Sequence, residues 1–225
     1  MNFNLRSRAV AEFLGTAFLL AAVVGSGIMG ERLAGGNVAI ALLANTLATG
    51  AILVALILTL GPISGAHLNP VVTLSMNLMG ELPWREAPTY LASQLAGAFA
   101  GVASAHLMFG LPLFFASNHS RDGAAQLWSE TAATFGLVFV IWGCSRFRPS
   151  TTAYAVGAYI TAAYWFTAST SFANPAVTLA RSASNTFAGI RPVDAPGFIA
   201  AQLVGALAAT ALFRWLVPAR PPRVD

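Results

Sequence analysis

Two asparagine–proline pairs are the residues of this chain best placed to do chemistry. Asn69-Pro70-Val71-Val72-Thr73-Leu74 recurs as Asn174-Pro175-Ala176-Val177-Thr178-Leu179, with five of six residues matching. Asparagine before proline is a helix start. The amide oxygen caps free backbone N–H groups, and proline fills the first helical position, where its missing N–H would have had no partner. Each pair opens an apolar stretch, 69–79 and 174–184, of about 11 residues, or ~16 Å of helix. Each follows a segment rich in glycine, serine and threonine, 61–68 and 168–173. A helix N-terminus carries roughly half a positive charge. Two such ends facing one point would repel cations, hydronium included. The asparagine amides would donate to a passing oxygen, and the preceding loops would offer carbonyl acceptors. That chemistry suits small neutral polar molecules.

Such half-helices need a scaffold, and the composition says which kind. Of 225 residues, 56% are hydrophobic and 9% charged, against about 25% charged in a soluble domain. Six stretches, 9–29, 37–60, 88–109, 126–144, 151–167 and 196–216, are apolar enough to cross ~30 Å of hydrocarbon as helices. The first follows Arg6 and Arg8 but lacks a clean cleavage site, so it reads as a span and not as a signal peptide. The segments 69–79 and 174–184 reach half of that thickness. Irregular backbone at membrane depth survives only inside protein or along a water-filled path.

The halves repeat in order. Gln94-Leu95-Ala96-Gly97-Ala98 returns as Gln202-Leu203-Val204-Gly205-Ala206, and Glu12 with Thr16 returns as Glu130 with Thr134. The chain is therefore expected to be one transmembrane unit, 1–225, built of two copies, 1–115 and 120–225. Each copy holds three spans and a half-helix. Three is odd, so the copies enter the membrane from opposite faces. The net charge of +4 comes from arginine alone. With the N-terminus inside, Arg6, Arg8, Arg85, Arg146, Arg148, Arg214, Arg220 and Arg223 lie inside, and Arg32, Arg121, Arg181 and Arg191 outside. This bias puts both termini in the cytoplasm of a cell inner (plasma) membrane protein. The arginines form no continuous patch, which argues against nucleic acid. One cysteine, Cys144, excludes an internal disulfide or cysteine cluster.

Ser64-Gly65-Ala66-His67-Leu68-Asn69-Pro70-Val71-Val72-Thr73 and Asn174-Pro175-Ala176 resemble the two signature boxes of the aquaporin, or major intrinsic protein, family. Ala11-Glu12-Phe13-Leu14-Gly15-Thr16 resembles its first-helix pattern, and the resemblance covers the whole chain. It implies an all-α membrane fold of six spans and two half-helices meeting at the midplane, assembled as a homotetramer with a pore in each subunit. It also implies that Glu12 and Glu130 brace the loops before the half-helices. His67 becomes a pore-lining or loop-bracing residue near the cytoplasmic entrance. Val71 stands where the family usually has alanine, which implies a slightly bulkier wall or, as the alternative, a change in selectivity. Water-selective members place arginine after the second box, where this chain has Val177. Glycerol facilitators add an aspartate where this chain has Thr178. Counting along the family pattern gives Thr49, Ala162, Ser171 and Val177 as the outer constriction: a wide, arginine-free filter. Arg181, on the same helix face as Val177 one turn on, is either a displaced positive group at the outer mouth or a surface residue that pairs or snorkels.

The implied function is passive passage of small uncharged solutes. Candidates are glycerol, urea, arsenous acid and methylated arsenicals, with water as well. Among relatives the pattern looks most like a bacterial branch associated with arsenic resistance. A water channel is one alternative. A secondary active transporter is another, since inverted repeats occur there too, but no ionisable coupling residue accompanies the asparagines. No nucleophile, phosphate loop or spaced metal ligand set points to an enzyme, a cofactor or a bound metal.

Overall fold

The computed structural model describes residues 3–217, so Arg220 and Arg223 lie outside the described residues. Eight α-helices are found among them: α1 (Leu5–Leu33), α2 (Val38–Ser64), α3 (Pro70–Leu78), α4 (Ala87–Met108), α5 (Ala124–Phe147), α6 (Thr152–Phe166), α7 (Pro175–Arg181) and α8 (Ala195–Leu216). Four begin on asparagine. Asn4 caps Ser7, Asn37 caps Ala39 and Ile40, and Asn69 and Asn174 cap α3 and α7. Each cap occupies backbone donors that hydrocarbon could not satisfy.

Five helices are long and apolar enough to cross a membrane: α1, α2, α4 with the 3-10 turn before it, α5 and α8. The sixth expected span, α6, is shorter, with 15 residues preceded by a single 3-10 turn at Pro149–Thr151. It stops at Phe166 because the chain there turns into the re-entrant segment. The short helices are also briefer than expected. Helix α7 ends at Arg181 and not at 184, because Ser182, Ala183 and Ser184 turn back on Leu179, Ala180 and Arg181 through three-residue hydrogen bonds. The carbonyls of Ser182 and Ala183 then receive Ser117 and Phe115 from the loop after α4.

Glycines set the helix spacing. A Cβ on Gly97 would come 2.3 Å from the Phe13 carbonyl, and one on Gly101 2.2 Å from that of Ala17. In the second half a Cβ on Gly205 would come 2.3 Å from the Thr131 carbonyl. Helix α4 thus presses on α1 as α8 presses on α5, at equivalent positions, as small residues at four-residue spacing allow. Helix α2 crosses α6 where Gly50 and Gly157 meet: a Cβ on Gly157 would come 2.7 Å from the Gly50 carbonyl. The outward faces carry exposed Phe18, Leu47, Trp128 and Trp215, an apolar surface unsuited to water.

Gly205→Leu should force α8 off α5. The expected cost is at least about 1–3 kcal/mol of overpacking, read as a lower thermal midpoint in detergent. Gly143→Leu, where a Cβ would meet open space, should leave the midpoint near that of the wild type.

Candidate functional site

The two half-helices meet end to end through their asparagines. Asn69 Oδ1 accepts the Val71 N–H at 3.0 Å, and Asn174 Oδ1 accepts those of Ala176 at 3.0 Å and Val177 at 3.3 Å. The amide nitrogens cross over. Asn69 Nδ2 donates to the Ala173 carbonyl, and Asn174 Nδ2 donates to the Leu68 carbonyl, each at 2.8 Å. Each asparagine thus fixes the loop that delivers the other. An amide nitrogen has two N–H groups, so one bond of this kind leaves each a second donor.

Those loops run through unfavourable backbone. Ala66, Leu68, Ser171 and Ala173 all have positive φ, between 47° and 50°, as does Thr170 at 60°. For residues with a Cβ this region costs roughly 1–2 kcal/mol each. Two fully buried glutamates hold it in place. Glu12 Oε1 accepts from Ser64 Oγ (2.7 Å) and the His67 N–H (2.9 Å), and Oε2 from the Leu68 N–H and Gln94 Nε2 (each 2.7 Å). Glu130 accepts the Phe172 and Ala173 N–H groups at 2.9 and 2.8 Å, and Gln202 Nε2 at 2.6 Å. Gln94 also donates to Thr73 and Gln202 to Thr178, each at 2.9 Å, on the first turns of the half-helices. Buried carboxylates are tolerable when donors surround them, and these are surrounded. The two networks share the pair of loop N–H groups, the glutamine and the threonine, and Glu12 takes the Ser64 hydroxyl in addition.

A cavity of about 120 Å³ runs past both asparagines. Residues three and seven beyond each one line it: Val72 and Met76 from α3, Val177 and Arg181 from α7. Val71 does not. It packs with Val138, Trp142 and Phe213 in the protein core, so the expected bulkier pore wall is corrected. Two residues past the cap, a side chain has rotated away from the path. Pro70, Pro175 and Ala176 are likewise absent from the lining. Glu12 and Glu130 stand behind it, and His67 lines it. His67 Nδ1 lies 3.1 Å from Thr73 Oγ1, and its ring lies 5.0 Å from that of Tyr90. His67 also lines the adjoining vestibule, where Arg8 and Arg214 bring the start of α1 and the end of α8 to one face of the molecule.

At the opposite face, Thr49, Ser171 and Val177 line the cavity together, and Ala162 does not. Ala162 is exposed on the outer side of α6. The lining residues of that helix are Thr152, Val156, Ile160 and Tyr164, spaced by four. A fixed count back from Asn174 fell two residues, or ~200°, from the inward face. Tyr164 takes the place assigned to Ala162, its hydroxyl 3.2 Å from that of Thr49. The side chain that α6 sets beside Thr49 is therefore a phenol and not a methyl group. Arg181 is buried and lines the same cavity. Its Nε donates to the Ala188 carbonyl, and its guanidinium sits over the Phe172 ring, 3.4 Å from the centroid. Burial rules out snorkelling. Arg121, expected at the surface, is buried too, with Nε on the Gly189 carbonyl at 2.8 Å and Nη1 on that of Ser169 at 3.0 Å. Its backbone N–H reaches Asp194, whose carboxyl the hydrogen-bonding Arg191 guanidinium holds below the usual carboxylate range. The sequence did hold a signal for Tyr164, the four-residue period of α6. It held none for the burial of Arg121. No cluster of three metal-binding side chains occurs among the described residues.

Paired re-entrant half-helices crossed by asparagines, inside a cage of longer apolar helices, define a membrane pore of the aquaporin type. The Major intrinsic protein family matches over residues 2–149, and this chain belongs to it; the family comprises channels, not enzymes. Aquaglyceroporin AqpS of Rhizobium meliloti (strain 1021) is 59% identical over 220 residues, 97% of this chain and 94% of that protein. Aquaporin NIP1-3 of Oryza sativa subsp. japonica is 36% identical over 138 residues, covering 60% of this chain and 47% of that one. The X-ray structure of the aquaglyceroporin from Plasmodium falciparum superposes with a TM-score of 0.70 at 20% identity over 95% of both chains, a likeness of fold.

Glu130→Gln should put an NH₂ group against the Phe172 or Ala173 N–H and leave that donor unpaired. The expected loss is about 1–3 kcal/mol, measured as a lower unfolding midpoint in detergent. Glu12→Gln should behave the same way at His67 or Leu68, with stability lost before any change in which solutes pass.

Proposed function

We propose that this chain is a passive channel for small uncharged solutes of glycerol and urea size, for neutral metalloid acids such as arsenous acid or methylated arsenicals, and for water. It works as a homotetramer in the cell inner membrane with both termini cytoplasmic, and is built from two inverted copies, 1–115 and 120–225. The face holding the ends of α1 and α8 is the cytoplasmic one. The filter is Thr49, Tyr164, Ser171 and Val177.

The observation that carries this reading is the lining of the cavity. It includes both asparagines, several hydroxyls and a long apolar wall, and among the described residues it includes no carboxylate. Glu12 and Glu130 spend their oxygens on loop N–H groups and glutamines. Coupling to a cation gradient would call for an acidic group at the solute site, and Glu12 and Glu130 are committed elsewhere. A solute instead exchanges its hydration for asparagine N–H groups and hydroxyls on one side, while its carbon surface slides along Leu53, Val156, Ile160 and Val177. Water gains little from that apolar side, whereas glycerol or a methylated arsenical gains contact. The near full-length likeness to an aquaglyceroporin supports the same solute class.

In proteoliposomes, glycerol and arsenous acid should enter at rates linear in concentration and indifferent to ionophores that collapse proton and sodium gradients. Saturable, gradient-driven uptake would reject the channel. Val177→Arg should narrow the filter and slow glycerol and methylated arsenicals by about tenfold, ~1.4 kcal/mol of barrier, with water flux largely kept. If glycerol entry is unchanged by stopped-flow swelling, Val177 is not at the constriction.

A further inference from the structure

The two half-helices present equivalent positions to the path, but their side chains differ in charge. Seven residues past the asparagine is Met76 in one half and Arg181 in the other. Arg181 is 2% exposed. Nε is committed to the Ala188 carbonyl, and the guanidinium lies flat against Phe172. Arg121 approaches the same ring, with its Cζ 4.8 Å from the centroid. Two buried guanidiniums thus share one aromatic side chain, and among the described residues neither has a carboxylate at ion-pairing distance. Glu130, whose field reaches both, is occupied by the Phe172 and Ala173 N–H groups and by Gln202. Asp194 pairs with Arg191. Aromatic faces and backbone carbonyls hold these cations in place, and their positive charge is left to act on the path.

Ser171 supplies the second observation. It is 3% exposed and lines the same cavity, and its Oγ has no hydrogen-bond partner in the protein. A buried hydroxyl without a protein partner is expected to bond to what occupies the cavity. Thr49 and Tyr164 complete the polar side, and Val177 the apolar one.

We propose that Arg181 is the selectivity cation of this pore, set one helical turn beyond Val177 at the far mouth, where with Ser171 it engages the oxygens of an uncharged solute and turns cations away. The inference rests on the channel reading above. It separates two tasks along the path. Charge discrimination and oxygen recognition fall at Arg181 and Ser171, and the contact with carbon surface falls ~5.4 Å deeper at Val177. Arg121 positions the loop that carries Ser171 and Phe172, through the Ser169 carbonyl, and adds a second charge behind the ring.

The test uses the full chain in proteoliposomes, with glycerol swelling and entry of protons under an imposed potential measured on the same preparation. The wild type should pass glycerol and exclude protons. Arg181→Met should still pass glycerol and admit protons at least about tenfold faster, since the half-helix ends are then the charge barrier that remains. Arg181→Gln, which keeps an N–H for the Ala188 carbonyl and loses only the charge, should leak in the same way and serves if the methionine variant does not assemble. Arg181→Lys should remain tight. Uncharged variants as proton-tight as the wild type, or a lysine variant that leaks like glutamine, would overturn the proposal. Failure of the wild type to pass glycerol down its gradient would reject the channel reading itself.

Discussion

The architecture depends on two fully buried carboxylates that form no ion pair among the described residues. Glu12 and Glu130 each accept the N–H groups of two consecutive residues in a re-entrant loop, and each takes a glutamine amide from a neighbouring span. Without those acceptors the loop N–H groups would sit in an apolar interior unpaired, and the positive-φ residues beside them would have nothing to offset their strain. With them, the chain can turn at mid-depth and start a helix on Asn69 or Asn174. The glycine contacts of α1 with α4 and of α5 with α8 belong to the same constraint. Gln94 lies three residues before Gly97, and Gln202 three before Gly205, so only close packing of those helices brings each amide to its glutamate.

Duplicated scaffolding gives a pore whose two mouths are alike in backbone and unlike in chemistry. His67 and Met76 stand on one side where Phe172 and Arg181 stand on the other. The shared parts, asparagine, glutamate, glutamine and threonine, make the path possible. The unshared parts make the two ends differ: His67 and Met76 beside a vestibule that Arg8 and Arg214 line at one end, and a buried arginine over an aromatic ring at the other. Because the bracing groups face away from the lumen, the lining residues can vary without disturbing the turn they stand on.

Much of this was legible in the sequence, because it follows from local chemistry and repetition. One Asn-Pro marks only a turn, but two in matched repeats before short apolar segments read as helix starts, a run of apolar residues long enough to span reads as a span, and two copies of an odd number of spans must be inverted. The pairing of Glu12 with Glu130 was visible as a repeat, and the function of the class followed from the boxes. What sequence could not fix was rotation. A helix turns ~100° per residue, so an error of two along α6 exchanged Ala162 for Tyr164, and a step of one residue along α3 separates Val71, outside the lining, from Val72 within it. Burial of arginine was also closed to sequence reasoning, since Arg121 in a stretch of serine, asparagine and glycine reads as an outer-side residue and Arg181 could be placed at the mouth or at the surface. Only the packed structure brings Phe172, Ala188, Gly189 and Ser169 around them. The sequence by itself determined the half-helices, their inversion and the neutral-solute chemistry of the asparagine pair, because those rest on caps, lengths and counts. The tertiary structure alone decided which side chains face the solute, because helix phase and the desolvation of a charge depend on neighbours far away in the chain.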